Sequence, residues 1–292
     1  MSSNYERTAG SRKRFDAWGI AGWIFLFFLL AFTVIPLAWM LSTSFKTQLG
    51  ALQFPPRWIP ANPTLDNYRM LLDPNGEIGR RFLRYMLNSL WVATATTVVG
   101  VCVAVPAAYA FSRFRFPGKN GLFYGVLLRN MFPAVIFLIP LFILMRNLHL
   151  VNSYLSLIIT YLTFGLPLSI WLLKGFYDNI PIQLEQAARI DGATRFQAFM
   201  KVVMPLSAPG IVATAIYSFI LAWNEYVYAL TFITDDKKLT VPVGLQRFFS
   251  EYVANWPGLM AAAFLMSVPV VIMFMVLQKY FVRALTEGAV KQ

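Results

Sequence analysis

The stretch Asp178-Asn-Ile-Pro181-Ile-Gln-Leu184-Glu185-Gln186-Ala187-Ala188-Arg-Ile-Asp191-Gly192-Ala193-Thr194-Arg-Phe196-Gln-Ala-Phe199-Met-Lys-Val-Val203-Met-Pro205-Leu-Ser-Ala-Pro-Gly210 is a polar interruption in an otherwise oily chain. Pro181 suits a first helical position, with Asp178 or Asn179 available to cap the free amides. Leu184, Ala187, Ala188 and Ile190 then fall near one face, where the small alanines admit a partner's backbone. Asp191-Gly192 breaks the helix. Thr194 followed by Gln197 matches a capping box opening a second helix, in which Phe196, Phe199, Met200 and Val203 recur at three- and four-residue spacing before Pro205 stops it. The pattern predicts a small rigid knob suited to a groove on another protein. An amphipathic loop lying on lipid headgroups would use Phe199 and Lys201 in a similar way.

Outward from this knob the chain is a membrane protein. Of its 292 residues 58% are hydrophobic and only 13% charged, with mean hydropathy +0.58, against roughly 25% charged residues in a soluble chain. The net charge is +12, but the basic residues sit at the ends of apolar runs, where lipid headgroups and topology explain them better than nucleic acid does. A single cysteine, Cys102, excludes a disulfide within the chain, and one histidine, His149, leaves too few ligands for a His/Cys metal site. The first apolar run, Trp18 to Thr43, is too long for a signal-peptide core and is expected to stay as an anchor.

Charged residues bracket six apolar runs that can each cross a bilayer. The sequence predicts an all-α polytopic protein with six transmembrane helices near 18–43, 85–112, 121–146, 153–174, 207–233 and 259–281. Residues 1–17 form one tail, 44–84 the first external loop, 85–281 a five-helix core carrying the loop 178–207, and 282–292 the other tail. With both termini inside, fourteen Lys and Arg lie on the cytoplasmic side against ten opposite, and six of those ten fall between Lys46 and Arg84 in a loop long enough to weigh little. The expected topology is N-in, C-in, with the knob in the cytoplasm. Pro36, Pro106, Pro133, Pro140, Pro167 and Pro269 punctuate the spans, each removing a backbone hydrogen bond, though proline is also ordinary in membrane helices.

The knob resembles the EAA loop of binding-protein-dependent ABC importer permeases. Ala187, Ala188, Gly192 and Pro205 keep the places of that pattern, while Gln186 stands where the family usually has Glu and Glu185 precedes it. Glu185 lies about 100° around the helix and does not simply replace that residue. The resemblance implies that Leu184, Glu185, Gln186, Ala187, Ala188, Asp191, Gly192, Ala193, Phe199 and Pro205 belong to a coupling surface for a cytoplasmic ATPase. Two further stretches carry the likeness. Phe54-Pro55-Pro56-Arg-Trp58-Ile-Pro60-Ala-Asn-Pro63-Thr64-Leu65-Asp66-Asn67-Tyr68 is similar to a segment of the carbohydrate-uptake branch. The tail Leu277 to Lys291 is similar to the C-terminus of that branch's smaller maltose permease subunit, with Ala284 and Glu287 in place of the more usual small residues.

Trp223-Asn224-Glu225 also matches the branch. An acidic group within a span is costly unless it faces water, protein or a partner, so Trp223, Asn224 and Glu225 are pore or gate candidates; an interfacial carboxylate at the helix end is the plainer reading. Arg129, inside the third run, either snorkels to the cytoplasmic boundary, or lines the path or pairs with Glu225, which is expected toward the opposite surface. The resemblance implies an importer of sugars or oligosaccharides: two related permeases, two ATPase subunits that hold ATP and Mg, and an extracytoplasmic solute-binding protein, in the bacterial inner membrane. No catalytic, cofactor or metal residue is expected in this chain, since no Gly-x-x-x-x-Gly-Lys-Ser/Thr phosphate loop occurs. The rival is a secondary transporter driven by an ion gradient, but Glu225 is the one acidic residue within a predicted span, too few for a relay.

Overall fold

The computed structural model describes residues 17–251 and 255–289, with side chains described for 21–246 and 255–278; the basic N-terminal tail lies outside them. Among the described residues there are helices and no strands. In chain order they are α1 (Ala17–Ser44), α2 (Gln48–Leu52), α3 (Asp66–Leu72), α4 (Glu77–Arg113), α5 (Lys119–Leu128), α6 (Leu138–Asn147), α7 (Tyr154–Asn179), α8 (Ile182–Ile190), α9 (Arg195–Ala198), α10 (Met204–Leu206), α11 (Ala208–Trp223), α12 (Val227–Phe232), α13 (Val241–Glu251) and α14 (Trp256–Ala289). Four described stretches are long and apolar enough to cross a bilayer unbroken, Ala21–Ser44, Glu77–Arg113, Tyr154–Asn179 and Trp256–Gln278. The count reaches six when two bent pairs are taken as spans.

The bends correct the expectation of straight third and fifth spans. The third is α5 and α6, set at 100° to each other, because Pro133 offers no amide and forces the residue before it out of the helical region. Phe132 duly sits at φ −90°, ψ 135°, between two short 3₁₀ turns, Arg129–Met131 and Ala134–Phe137. The fifth ends at Trp223 rather than near residue 233 and resumes as α12 after a break. There the Glu225 carboxylate accepts from the amides of Tyr228 at 2.8 Å and Ala229 at 3.1 Å, starting a new helix in place of continuing the old one. At the other ends, α4 begins at Glu77, well before the expected 85, and α14 runs through the residues expected to form the C-terminal tail as far as Ala289.

α4 is the central strut, packed against α7 and α11, while α1 packs on α14. The apolar window of α1 is wholly unburied within the chain, so Trp23, Phe27 and Phe32 face lipid or a partner subunit. One hydrophobic core gathers Phe82 and Val92 of the Glu77 half of α4 with Tyr161 of α7, Trp223 of α11 and Phe232 of α12. A second surrounds Ala104, Val105, Ala108 and Tyr109 in the Arg113 half. At the Glu77 end, Asn88 donates to the carbonyls of Lys237 at 3.0 Å and Leu239 at 2.9 Å. Asn152, in the left-handed region at φ 62°, accepts from the amides of Thr234 and Asp235, so the segment after α12 is stitched to both α4 and the turn before α7. Asn67 and Tyr68 of the Pro-Thr-Leu-x-Asn-Tyr motif clasp the end of α1. The Asn67 amide donates to the carbonyls of Ser44 and Lys46, and the Tyr68 hydroxyl is 2.7 Å from Ser44 Oγ.

Candidate functional site

The knob comprises α8, the turn Asp191–Ala193 and the run Arg195–Leu206. Its capping box forms as expected: Gln197 N donates to Thr194 Oγ1 at 3.2 Å and Thr194 N donates to Gln197 Oε1 at 2.9 Å. Gly192 takes φ +92°, a conformation that an L side chain rarely adopts. Two local expectations are corrected. Asp178 does not cap α8; α7 continues to Asn179, Asp178 accepts from Ser112 and Lys174, and Pro181 precedes the helix without a side-chain cap. Pro205 does not end the second helix, which passes through a π turn at Phe199–Val203, keeps Pro205 in its last turn and stops at Leu206, bent by 73° from α11. The bend is held close because Gly210 lies against the Phe176 ring, where a Cβ would come within 2.4 Å.

The knob has an inner and an outer face. Phe199 and Val203 are buried in the second core and Ala198 is buried beside them, with the Phe199 ring 4.4 Å from that of Tyr109. Glu185 is buried too: its Oε1 lies 2.5 Å from Arg113 Nε, and its Oε2 accepts from the Tyr109 hydroxyl at 2.8 Å. Arg113 also donates from Nη2 to the Ile180 carbonyl at 2.7 Å. The outer face carries Ile190, 85% exposed, and Phe196, 70% exposed, with Leu184 and Met200 half-exposed. Gln186, Ala187, Asp191, Gly192 and Pro205 are exposed and Ala188 and Ala193 partly so. The Arg195 guanidinium packs 5.1 Å from the Phe114 ring centroid. The apolar repeat Phe196, Phe199, Met200, Val203 therefore divides, one pair outward and one pair inward.

A second feature lies where the broken third and fifth spans meet. A cavity of about 440 Å³ is lined by residues that include Arg129, Pro133, Tyr161, Phe164, Tyr217, Glu225 and Tyr228. Arg129 and Glu225, expected toward opposite surfaces, thus line one space, because the Pro133 bend prevents the third span from running straight. They make no ion pair among the described residues. Glu225 accepts from Tyr161 at 2.8 Å besides its two backbone donors. The Arg129 guanidinium lies 3.4 Å from the Phe164 ring centroid, Nη1 donates to Asn130 Oδ1, and Nε and Nη2 are buried without an acceptor. Tyr228 bridges the two breaks by donating to the Ala134 carbonyl at 2.7 Å. Trp223 is not in this lining; it is buried and stacked on Phe219 at 5.5 Å, and the Asn224 side chain bonds back to the Ile220 carbonyl.

Residues 97–287, which hold the knob and both breaks, match the family described as the binding-protein-dependent transport system inner membrane component. The chain belongs to that family. Relatives of this permease include the trehalose transport system permease protein of Mycobacterium tuberculosis, 37% identical with 90% of this chain and 94% of the relative covered. The trehalose/maltose transport system permease protein of Thermococcus litoralis is 38% identical, with 88% and 91% covered. The diacetylchitobiose uptake system permease protein of Streptomyces coelicolor is 34% identical, with 88% and 92% covered. The permease also shares its fold with a chain in the crystal structure of a bacterial ABC transporter involved in import of the acidic polysaccharide alginate. That match has TM-score 0.79 at 23% identity and covers 94% of this chain and all of the other.

In the permease, then, the residues singled out in the loop split into two sets. Leu184, Gln186, Ala187, Asp191 and Gly192 remain available to a partner, whereas Glu185 and Phe199 are spent on attachment. Sequence reading missed the other half of that attachment, Tyr109 and Arg113 on α4. Their signal was present: two residues with polar groups in the last turns of a span that faces the loop. In the sequence Arg113 counts only as one of the fourteen basic residues on the cytoplasmic side.

Proposed function

We propose that this permease is the sugar-translocating subunit of an ATP-driven importer, and that its knob couples it to a cytoplasmic ATPase. The observation that carries the reading is the division of the knob: Glu185, Phe199 and Val203 fasten it to α4 and α7, while Ile190, Phe196, Leu184 and Met200 stand outward and exposed among the described residues. A lever fastened in this way transmits force without bending. Paired with a second, related permease and two copies of the ATPase, which bind ATP and Mg, it forms half of the translocation path. Both termini and the knob lie in the cytoplasm. Closure of the ATPase dimer carries the knob as a rigid body and turns the spans from inward-open to outward-open. A solute-binding protein delivers the sugar from outside, and hydrolysis resets the bundle. Sugars are favoured as cargo by the names of relatives covering most of the chain.

The test is uptake by proteoliposomes containing the complete importer. Uptake should require ATP, ignore uncouplers, and fall at least tenfold in Phe196→Glu, with loss of ATPase during purification but unchanged membrane insertion. Uptake that collapses with uncouplers and persists without ATP would favour an ion-gradient carrier instead.

A further inference from the structure

We infer that the cavity between the two broken spans receives one neutral sugar residue of the cargo, gripped by Arg129; this deepens the proposed sugar import and rests on it. The first argument is the backbone. Irregular backbone at membrane depth is tolerated where it is buried in protein or lines a cavity, and paired helix breaks point to a transport site. Here the break at Pro133 and the break between α11 and α12 open on the same space. The second is the guanidinium. Nε and Nη2 of Arg129 are buried with no acceptor, an unfavourable state for a charged donor. Sugar hydroxyls supply such acceptors, and the fork geometry of arginine spans two neighbouring ones.

The walls suit the rest of a pyranose. Phe132, half-exposed, and Tyr217, partly exposed, offer apolar ring surface to the C–H face of a sugar, and the volume of about 440 Å³ falls in the range of small-molecule sites, roughly 300–1,000 Å³. Charge selects among sugars. Arg129 and Glu225 are the two ionisable groups of opposite sign lining the cavity, so their charges cancel. A uronic acid would leave one uncompensated negative charge among mostly apolar walls, which is unfavourable. A neutral residue leaves none. Glu225 has its oxygens occupied by Tyr161 and the α12 amides, which makes it a positioning residue and Arg129 the contact.

The test uses proteoliposomes of the whole importer with its binding protein, offered trehalose, maltose, diacetylchitobiose or an alginate oligosaccharide, and reads sugar imported per ATP hydrolysed. At least one neutral disaccharide should enter, and Arg129→Met should cut the ratio at least fivefold, with Arg129→Lys intermediate. A purely structural role would lower uptake and ATP turnover together, so an unchanged ratio overturns the assignment. Uptake of the alginate oligosaccharide alone, or of none of the four, overturns the neutral-sugar choice. As a second measurement that leaves Arg129 in place, Leu221, which also lines the cavity, can be probed: Leu221→Cys in a Cys102→Ser background should be alkylated at least twofold more slowly in the presence of the transported disaccharide, and equal rates count against the site. ATP-independent uptake by the unmodified complex would instead reject the proposed function, and the alkylation rates would still report on the cavity.

Discussion

Arg113, at the last turn of α4, and Glu185, in the middle of α8, form a buried ion pair with Nε 2.5 Å from Oε1. The side chains are only 10% and 8% exposed, so removing either partner strands a charge in a poorly solvated place. Glu185→Ala is expected to lower stability by about 3–5 kcal/mol, measured by SDS titration in mixed micelles. Replacing both, Arg113→Met with Glu185→Met, should recover most of that loss, because the uncompensated charge disappears. The double replacement loosens the knob, however, so ATP turnover should respond less to cargo than in the unmodified importer even where stability is restored.

Gly192 makes the turn possible through conformation and nothing else. A Cβ there would meet no atom within 4 Å, yet φ is +92°. Alanine should therefore cost about 1–2 kcal/mol, the penalty for left-handed backbone, with no steric component. Proline, fixed near φ −65°, cannot adopt the turn at all. Gly192→Pro should abolish ATPase co-purification while Gly192→Ala keeps most of it. Equal retention by both would show that the turn is not what presents the outer face.

Thr194 offers a milder lesion of the same element. Thr194→Ala removes the oxygen that accepts from Gln197 N and should destabilise the second knob helix by about 0.5–2 kcal/mol. Hydrogen exchange at Gln197 and Ala198 should speed up while amides in α4 stay protected. Uniform acceleration through α4 would mean that the knob and the strut unfold as one unit.

Much of the site was readable because it is local. Gly192 and the Thr194/Gln197 box act within a few residues, and the structure keeps both, while the apolar repeat from Phe196 to Val203 passes through a π turn and divides between two faces. What escaped is long-range or depends on competition between signals. Hydropathy over residues 121–146 and 207–233 predicts unbroken spans, since apolar composition does not register that Pro133 denies an amide or that Glu225 captures two. The partnership of Arg113 with Glu185 joins residues 72 apart, a separation at which periodicity is silent. The same limit hid the meeting of Arg129 with Glu225: their positions along the spans suggested opposite surfaces, and only the 100° bend brings them to one cavity.

Gly210 and Phe176 offer a test of how rigidly the knob is set on the fifth span. The Cβ of Gly210→Ala would lie 2.4 Å from the Phe176 ring, too close for the helices to keep their approach, and overpacking of this kind costs about 1–3 kcal/mol. Phe176→Leu should partly relieve it, so the pair should be less destabilised than Gly210→Ala alone. Additive losses would indicate that the strain is taken up elsewhere.

Glu225 ties three donors together, and its substitution should separate their contributions. Alanine removes the acceptor for Tyr228 N and Ala229 N, a capping loss of about 0.5–2 kcal/mol, and strands the Tyr161 hydroxyl, whose side chain is 1% exposed, for about 1–3 kcal/mol more. Glutamine keeps an acceptor oxygen and should lose less. Tyr161→Phe in the Glu225→Ala background takes away the stranded hydroxyl, so the double substitution should be clearly less harmful than the sum of the two single ones. Strict additivity across that cycle, measured by SDS titration, would mean that the hydroxyl and the carboxylate act independently. In that case α12 would owe its start to the backbone amides alone.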